Sequence, residues 1–198
     1  MTAIALRPSR GLARPAIILG GLAASVGLRW VATVSRAGDA VAIGLVFGLC
    51  LVAVGRAGGW RPLAGRSSPI GAGIALGVAG GAALVGLAIA TRSGPLPSLA
   101  PAATFAPWAL VTVLVASGEE LVLRGALFEE LDRGLGVGAA VLVTSVVFAV
   151  IHVPLYGWHV VPLDLGVGLW LAGLRLAGRG IAAPAIAHTI ADLATWWL

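Results

Sequence analysis

Long runs of apolar residues alternate with short polar breaks along almost the whole chain. A transmembrane helix needs about 20 mostly apolar residues to cross the hydrocarbon core of a bilayer. We predict spans at residues 15–34, 40–55, 69–91, 103–131, 137–156, 162–178 and 181–198. The pattern predicts an all-α fold: a polytopic transmembrane helical bundle of about seven spans, forming a single integral-membrane domain over residues 1–198.

The breaks between the runs are rich in residues that end helices. Residues 56–69 are rich in Arg, Gly and Pro, and residues 93–107 contain four prolines. Proline in a helix interior removes a backbone hydrogen bond and clashes with the preceding turn. These two segments are therefore predicted as connections between spans.

The first run has two possible interpretations. Arg7, Arg10 and Arg14 precede the apolar stretch AIILGGLAASVGL, a pattern that also occurs in signal peptides. No small-residue cleavage site follows, and Arg29-Trp30 interrupts the junction. We therefore expect an uncleaved first span.

The arginines between the runs predict the orientation. Positively charged residues concentrate in cytoplasmic loops. If the N-terminus is cytoplasmic, nine arginines fall on the cytoplasmic side or near it: Arg7, Arg10, Arg14, Arg56, Arg61, Arg66, Arg133, Arg175 and Arg179. The other connections contain only Arg36 and Arg92, and Trp196-Trp197 suits an aromatic belt at the outer surface. We predict a cytoplasmic N-terminus.

Composition supports the membrane assignment and excludes other classes. The chain is 59% hydrophobic and 11% charged, whereas soluble domains carry about 25% charged residues. The net charge of +5 does not indicate nucleic-acid binding, because the arginines lie between apolar runs rather than on one face. The single Cys50 allows no disulfide within the chain. All 13 basic residues are arginine, which hints at a GC-rich bacterial genome and hence a bacterial plasma membrane.

Ionisable residues inside predicted spans indicate a functional site, because burying them in lipid is costly. They occur in three places in the second half of the chain: Glu119, Glu120 and Arg124; His152; and His188 with Asp192. Each group also has a structural interpretation, as an ion pair or a hydrogen bond between helices. In the first three spans only Arg29 is comparable, and it lies close enough to an end to reach the interface.

Helical spacing separates the two glutamates. Glu120 and Arg124 are four residues apart, with the acid first, which favours an ion pair on one helix face. Glu119 points about 100° away, and Leu123 occupies its i+4 position. Glu119 is therefore the carboxylate left for chemistry, and Glu120 the one that supports the site.

Depth in the membrane brings the groups together. Glu119 lies 16 residues before Leu135, at the turn between the fourth and fifth spans, and His152 lies 17 after it, so an antiparallel pair puts both at one level. His188 lies nine residues past the next turn, about 13 Å, which is compatible with the same layer. We expect one shared cavity opening toward the cytoplasm, with His159 and Asp164 outside it in solvent.

Three motifs then resemble a known family. Glu119-Glu120-x-x-x-Arg124, Phe148-x-x-x-His152 and His188-x-x-x-Asp192 resemble the motif set of the CAAX prenyl protease and bacteriocin-processing family. That family of intramembrane endopeptidases includes the Ras-converting type. The resemblance covers residues 101–198 as a catalytic helical core, while residues 1–100 match only in being hydrophobic helices.

The resemblance implies roles for these residues. Glu119 would be the general base that activates a water molecule, helped by His152, while His188 and the polar residue at position 192 would stabilise the oxyanion. Glu120, Arg124 and Phe148 would support the site, without a metal cofactor. Family members with asparagine at the last position can donate an amide N–H to the oxyanion. Asp192 can donate only when protonated, and when ionised it would instead orient His188.

Other functions stay open at this point. Glu119, His152, His188 and Asp192 would also suit a zinc ion, which would make the protein a metalloprotease. Buried carboxylates and histidines also build proton-coupled transporters, and a non-catalytic scaffold or immunity protein could use the polar cluster for folding. We expect a peptide or membrane-protein substrate, contact with membrane lipid and no nucleic-acid partner. The sequence does not identify the substrate or the oligomeric state.

Overall fold

The computed structural model describes residues 13–60, 70–91 and 104–198, and helices account for most of them. The helices are α1 Ala13–Val34, α2 Ala40–Ala57, α3 Ile70–Thr91, α4 Phe105–Glu120, α5 Phe128–Leu135, α6 Val137–Tyr156, α7 Val161–Gly178 and α8 Ala182–Ala194. A π-helical turn, Leu121–Leu127, joins α4 to α5, and a 3-10 turn, Trp158–Val160, precedes α7. No strand occurs in these ranges, so the predicted all-α fold is confirmed.

Six helices in the described ranges are long and apolar enough to cross a membrane. They correspond to the first six predicted spans, and the longest, Phe105–Leu135, runs through α4, the π-helical turn and α5. The seventh predicted segment contains α8, which has only 13 residues. At 1.5 Å per residue, α8 is about 20 Å long and shorter than the bilayer core.

Of the arginines used to predict orientation, Arg7, Arg10, Arg61, Arg66 and Arg92 lie outside the described residues.

The chain reverses sharply between α5 and α6. Gly136 has φ of +86°, a conformation that favours glycine, and connects Leu135 directly to Val137. The turn lies where the sequence placed it, so α4 and α6 run antiparallel. The start of α4 and the end of α6 are therefore at the same end of the bundle.

That end of the bundle also holds a group of aromatic side chains. Trp196, just after α8, packs on Trp108 with ring centroids 4.8 Å apart and on Phe105 at 5.2 Å. Both partners lie in the first turn of α4. We call this the aromatic end, and the opposite end, at the α5–α6 turn, the Gly136 end.

Glycines let α3 approach α8 closely. A Cβ atom at Gly77 would lie 2.8 Å from the Ala183 carbonyl oxygen, and one at Gly81 would lie 3.1 Å from that of Ala187. Small residues at helix contacts are typical of membrane bundles. Because Ala183 and Ala187 precede His188, this contact fixes the helix that carries the histidine.

We predict that Gly77→Ala destabilises the protein. The new methyl group would meet backbone on α8, and such overpacking typically costs about 1–3 kcal/mol in the free energy of unfolding. Gly86→Ala is the matched control, because nothing lies within 4 Å of a Cβ at that position of the same helix. Thermal unfolding in detergent should show a lower midpoint for Gly77→Ala only, and equal midpoints would contradict the close α3–α8 contact.

Candidate active site

The two adjacent glutamates lie at the end of α4, in the interior of the bundle. Glu119 is 3% exposed and Glu120 is 0% exposed. The π-helical turn that follows, Leu121–Leu127, is buried along its whole length. Single π-helical turns are rare and occur frequently at functional sites.

Glu120 and Arg124 form the ion pair that their spacing predicted. Arg124 Nη1 donates to Glu120 Oε1 at 2.8 Å, and both side chains are fully buried. Arg124 Nη2 also donates to the Gly168 carbonyl of α7 at 2.9 Å, and its guanidinium lies 4.8 Å from the Phe148 ring centroid. Arg124 therefore connects α4 with both α7 and α6.

His188 joins the glutamates from α8. Its Nδ1 lies 3.1 Å from Glu120 Oε1, which makes this oxygen the acceptor for both His188 and Arg124. The other ring nitrogen, Nε2, lies 3.9 Å from Glu119 Oε2 and 3.5 Å from Asp192 Oδ2. The sequence indicated the His188–Asp192 proximity but gave no sign of the hydrogen bond to Glu120.

His152 is held in one orientation by its own helix. Its Nδ1 lies 2.7 Å from the Phe148 carbonyl oxygen, and since a carbonyl can only accept, Nδ1 is the donor. In the neutral ring, Nε2 is then the nitrogen without a proton. The Phe148 ring packs between the two histidines, with centroids 4.8 Å from His152 and 5.3 Å from His188.

Asp164 also belongs to the cluster, contrary to the expectation that it lies in solvent. Its side chain is 19% exposed, and Oδ2 is 3.7 Å from His152 Nδ1. The connection between α6 and α7 is short, so the first turn of α7 lies against the last turn of α6. That short connection is the only signal in the sequence that could have indicated this proximity. His159, in the connection, is exposed as expected.

The motif residues from three helices thus share one region. His188 Nε2 lies 3.9 Å from Glu119 Oε2, and the Phe148 ring contacts both His188 and His152. The Glu119 carboxylate forms no hydrogen bond with another side chain in the described ranges. In this region the Glu120 carboxylate is therefore fixed by an arginine, and the Glu119 carboxylate is not.

The cluster lies nearer the aromatic end than the Gly136 end. His152 is four residues before the end of α6 and 15 after its start, and Asp164 is three residues into α7. Asp192 is the most open member, with 41% of its side chain exposed. A cytoplasmic N-terminus, as the arginine distribution predicts, would place the aromatic end outside the cell. A cluster that opens toward the cytoplasm would place the same end inside. The two predictions favour opposite orientations, and both stay predictions.

A separate cavity of about 180 Å³ lies between α1 and α2. Its walls are mostly apolar, and Arg29 is its charged side chain, stacked 4.6 Å from the Phe47 ring centroid. None of the motif residues lines it.

The side chains of the described ranges do not form a ready metal site. No group of three or more His, Cys, Asp or Glu side chains there has an arrangement that could hold a metal ion. His188 uses Nδ1 for Glu120, and His152 uses Nδ1 for the Phe148 carbonyl. Nε2 of both rings stays available, so metal independence remains a prediction.

Comparison with protein-family models gives one match. Residues 101–194 match the model described as type II CAAX prenyl endopeptidase, Rce1-like. The match includes α4 to α8 and hence every motif residue, and it confirms the resemblance predicted from the three motifs. Neither the comparison with curated proteins nor that with solved structures finds a match.

We predict that water reaches the cluster from the aromatic end. In a Cys50→Ser background, Asp192→Cys and Trp158→Cys should react with a membrane-impermeant thiol reagent from the same side of the membrane. Leu135→Cys, at the Gly136 end, should react only from the other side. Position 158 is 74% exposed and position 135 is 66% exposed, so both serve as reporters. Labelling of residue 192 from the side of residue 135, or from neither side, would contradict the prediction.

Proposed function

We propose that the chain is an intramembrane endopeptidase that hydrolyses a peptide bond with water activated by Glu119 and His152. The match of residues 101–194 to the Rce1-like model of type II CAAX prenyl endopeptidases supports the protease class. The observation that carries the proposal is the convergence of the three motifs on one buried cluster. Glu119, His188 and Asp192 come from two different helices, yet His188 Nε2 lies within 4 Å of both carboxylates. His152 approaches from a third helix.

Glu119 is the general base of this proposal. It is buried, close to two histidines and not tied to an arginine, so its carboxylate can accept a proton from a water molecule. As the water oxygen attacks the peptide carbonyl carbon, the proton passes to Glu119 and the carbonyl oxygen becomes an oxyanion. Transfer of that proton to the departing amine then breaks the C–N bond and leaves a carboxylic acid, which ionises in water, and an amine.

His152 assists through Nε2. With Nδ1 donating to the Phe148 carbonyl, the neutral ring has its free lone pair on Nε2, which can accept a hydrogen bond from the attacking water. Asp164, 3.7 Å from Nδ1, lies where its negative charge would stabilise the ring if it gained a second proton. These two contacts give His152 the protonation state and orientation that a helper base needs.

His188 supports the oxyanion, and Asp192 orients it. Nδ1 donates to Glu120, so a doubly protonated ring presents Nε2–H toward Glu119 and Asp192. A donor placed where negative charge develops is worth several kcal/mol in a dry site. Asp192 lies 3.5 Å from that nitrogen, a distance that favours a carboxylate accepting from His188 over one that donates to the substrate.

The substrate we propose is an extended apolar peptide segment at membrane depth. The helices around the cluster expose large apolar side chains, including Leu142, Val146 and Val150 on α6. A leader peptide or a segment of another membrane protein has the matching chemistry. The matched model is described as a CAAX prenyl endopeptidase, and a prenylated peptide is one candidate of the same apolar class.

We predict that Glu119→Gln abolishes cleavage without unfolding the protein, whereas Glu120→Gln destabilises it. Loss of the general base should lower kcat by about 10²–10⁴-fold. Loss of the Glu120 charge leaves Arg124 buried without its partner, which typically costs about 3–5 kcal/mol. Mass spectrometry of cleaved peptides and thermal unfolding in detergent measure the two effects.

Asp132→Asn is the control for both variants, because Asp132 is exposed on the same continuous helix. It should leave cleavage and thermal unfolding unchanged. Full cleavage by Glu119→Gln would overturn the proposed mechanism. Cleavage by no form of the protein, combined with proton-coupled transport in liposomes, would overturn the endopeptidase function itself.

We also predict that catalysis does not require a metal ion. Dialysis of the purified protein against EDTA or 1,10-phenanthroline should leave kcat unchanged, because Glu119 is proposed to act on water directly. The check is cleavage of one peptide before dialysis, after dialysis and after adding Zn²⁺. Loss of activity that Zn²⁺ restores would instead support the metalloprotease alternative.

A further inference from the structure

We infer that Arg175 of α7 is a positioning residue, which holds the π-helical turn Leu121–Leu127 in place and thereby keeps Glu119 and Glu120 aligned with the rest of the cluster. The inference rests on the proposed function, because it concerns the alignment of the proposed base. Arg175 belongs to none of the three motifs. It lies two turns beyond Gly168 on α7, at the Gly136 end of the bundle.

The backbone of the π-helical turn leaves the Arg124 carbonyl out of the usual pattern. In an α-helix the Phe128 N–H would donate to this carbonyl, four residues earlier. Here the Phe128 N–H bonds to the Leu123 and Gly125 carbonyls on either side of it. The Arg124 carbonyl accepts instead from Arg175 Nε at 2.6 Å. A side chain of α7 thus donates to a carbonyl that the Phe128 N–H does not use.

Arg175 also contacts the residues that follow the turn. Its guanidinium carbon lies 4.2 Å from the Phe128 ring centroid, and Nη2 lies 3.8 Å from Glu129 Oε1. The residue is only 9% exposed. One planar group therefore contacts a carbonyl, an aromatic face and a carboxylate at the end of the π-helical turn, an arrangement that suits arginine better than lysine.

Arg124 also contacts α7 through its own side chain. Its Nη2 donates to the Gly168 carbonyl at 2.9 Å, while its own carbonyl accepts from Arg175. Gly168 must be small here, since a Cβ atom would lie 3.0 Å from the Ser145 backbone of α6. The π-helical turn is thus fixed to α7 at two levels, through the side chain of Arg124 at one and its backbone at the other.

This fixation matters because the turn begins directly after the glutamates. If the turn relaxed to α-helical geometry, the helix would lose one residue of register, a rotation of about 100° between the two sides. Glu120 and Arg124 would remain neighbours at a spacing of four, but Arg124 could not keep its contact with Gly168 while Glu120 keeps its contact with His188. The contacts of Arg175 with the Arg124 carbonyl, the Phe128 ring and the Glu129 carboxylate all lie beyond Glu119 and Glu120 along the chain, so we expect its effect on catalysis to pass through the backbone of the turn.

The test compares Arg175→Gln and Arg175→Lys with two control variants. Arg179→Gln alters an exposed arginine at the end of the same helix, and Glu129→Gln removes the ion-pair partner alone. We expect kcat to fall about 10–100-fold for both Arg175 variants, as a displacement of about 1 Å can cause, with KM within twofold of wild type. Lysine should not restore the rate, because it lacks the planar Nε–H donor. Both controls should retain wild-type kcat.

Amide hydrogen exchange of residues 121–131 gives a readout independent of cleavage. We expect exchange there to be faster in both Arg175 variants and unchanged in the two controls, while α1 and α3 exchange as in wild type. If Arg175→Gln does not fold, Arg175→Lys carries the same two measurements. Wild-type kcat and exchange in the folded Arg175 variant would overturn the inference, as would full rescue by lysine or an equal loss in Glu129→Gln.

The outcome separates this inference from the proposed function. If the wild-type protein cleaves no peptide, the endopeptidase function fails, and exchange alone decides the role of Arg175. Faster exchange confined to residues 121–131 would then support its hold on the turn. Unchanged exchange would overturn it.

Discussion

The buried ion pair of Glu120 and Arg124 is the interaction on which the catalytic half of the bundle depends. Neither group is tolerated alone in an apolar interior, because the loss of hydration costs several kcal/mol per charge. The pair is not fully satisfied by itself, since Glu120 Oε2 and Arg124 Nε are buried without a hydrogen-bond partner in the described ranges. The remaining contacts recruit other helices: Gly168 from α7 and His188 from α8. A requirement for charge compensation thereby becomes a constraint on how three helices assemble.

That constraint also separates the two glutamates, although they are adjacent in sequence. Glu120 Oε1 accepts from an arginine and a histidine. The Glu119 carboxylate lies on a different side of the helix, near His188 Nε2 but without a hydrogen bond in the described ranges. Two carboxylates with different surroundings can serve different roles, a pattern that recurs in acid–base active sites. This difference in surroundings is the basis for proposing Glu119, and not Glu120, as the base.

The sequence predicts the features that depend on local periodicity. The length of the apolar runs predicts the helices, and the spacing of four predicts the Glu120–Arg124 pair. It does not predict the π-helical turn, because that turn is a change in backbone hydrogen bonding for which no residue type in LVLRGAL is a signal. The sequence does not predict the hydrogen bond from His188 to Glu120 either, because that bond depends on how closely the backbones of α3 and α8 approach each other. Asp164 was misplaced for a related reason: its surroundings are set by the folding of α7 onto α6 and not by its own helix.

The charge of the cluster leads to a last point about its protons. Four carboxylates stand near one fully buried arginine and two histidines: Glu119, Glu120, Asp164, Asp192, Arg124, His152 and His188. If every acid were ionised and both histidines neutral, the cluster would carry three uncompensated negative charges in an apolar bundle. An excess of acids over bases in an apolar bundle is costly, so the close contacts of His188 with Glu120 and Asp192 help to compensate it. In the proposed mechanism the proton taken from water must later reach the departing amine. Aspartate at position 192 in place of an amide would weaken direct donation to the oxyanion, so that mechanism assigns oxyanion support to His188.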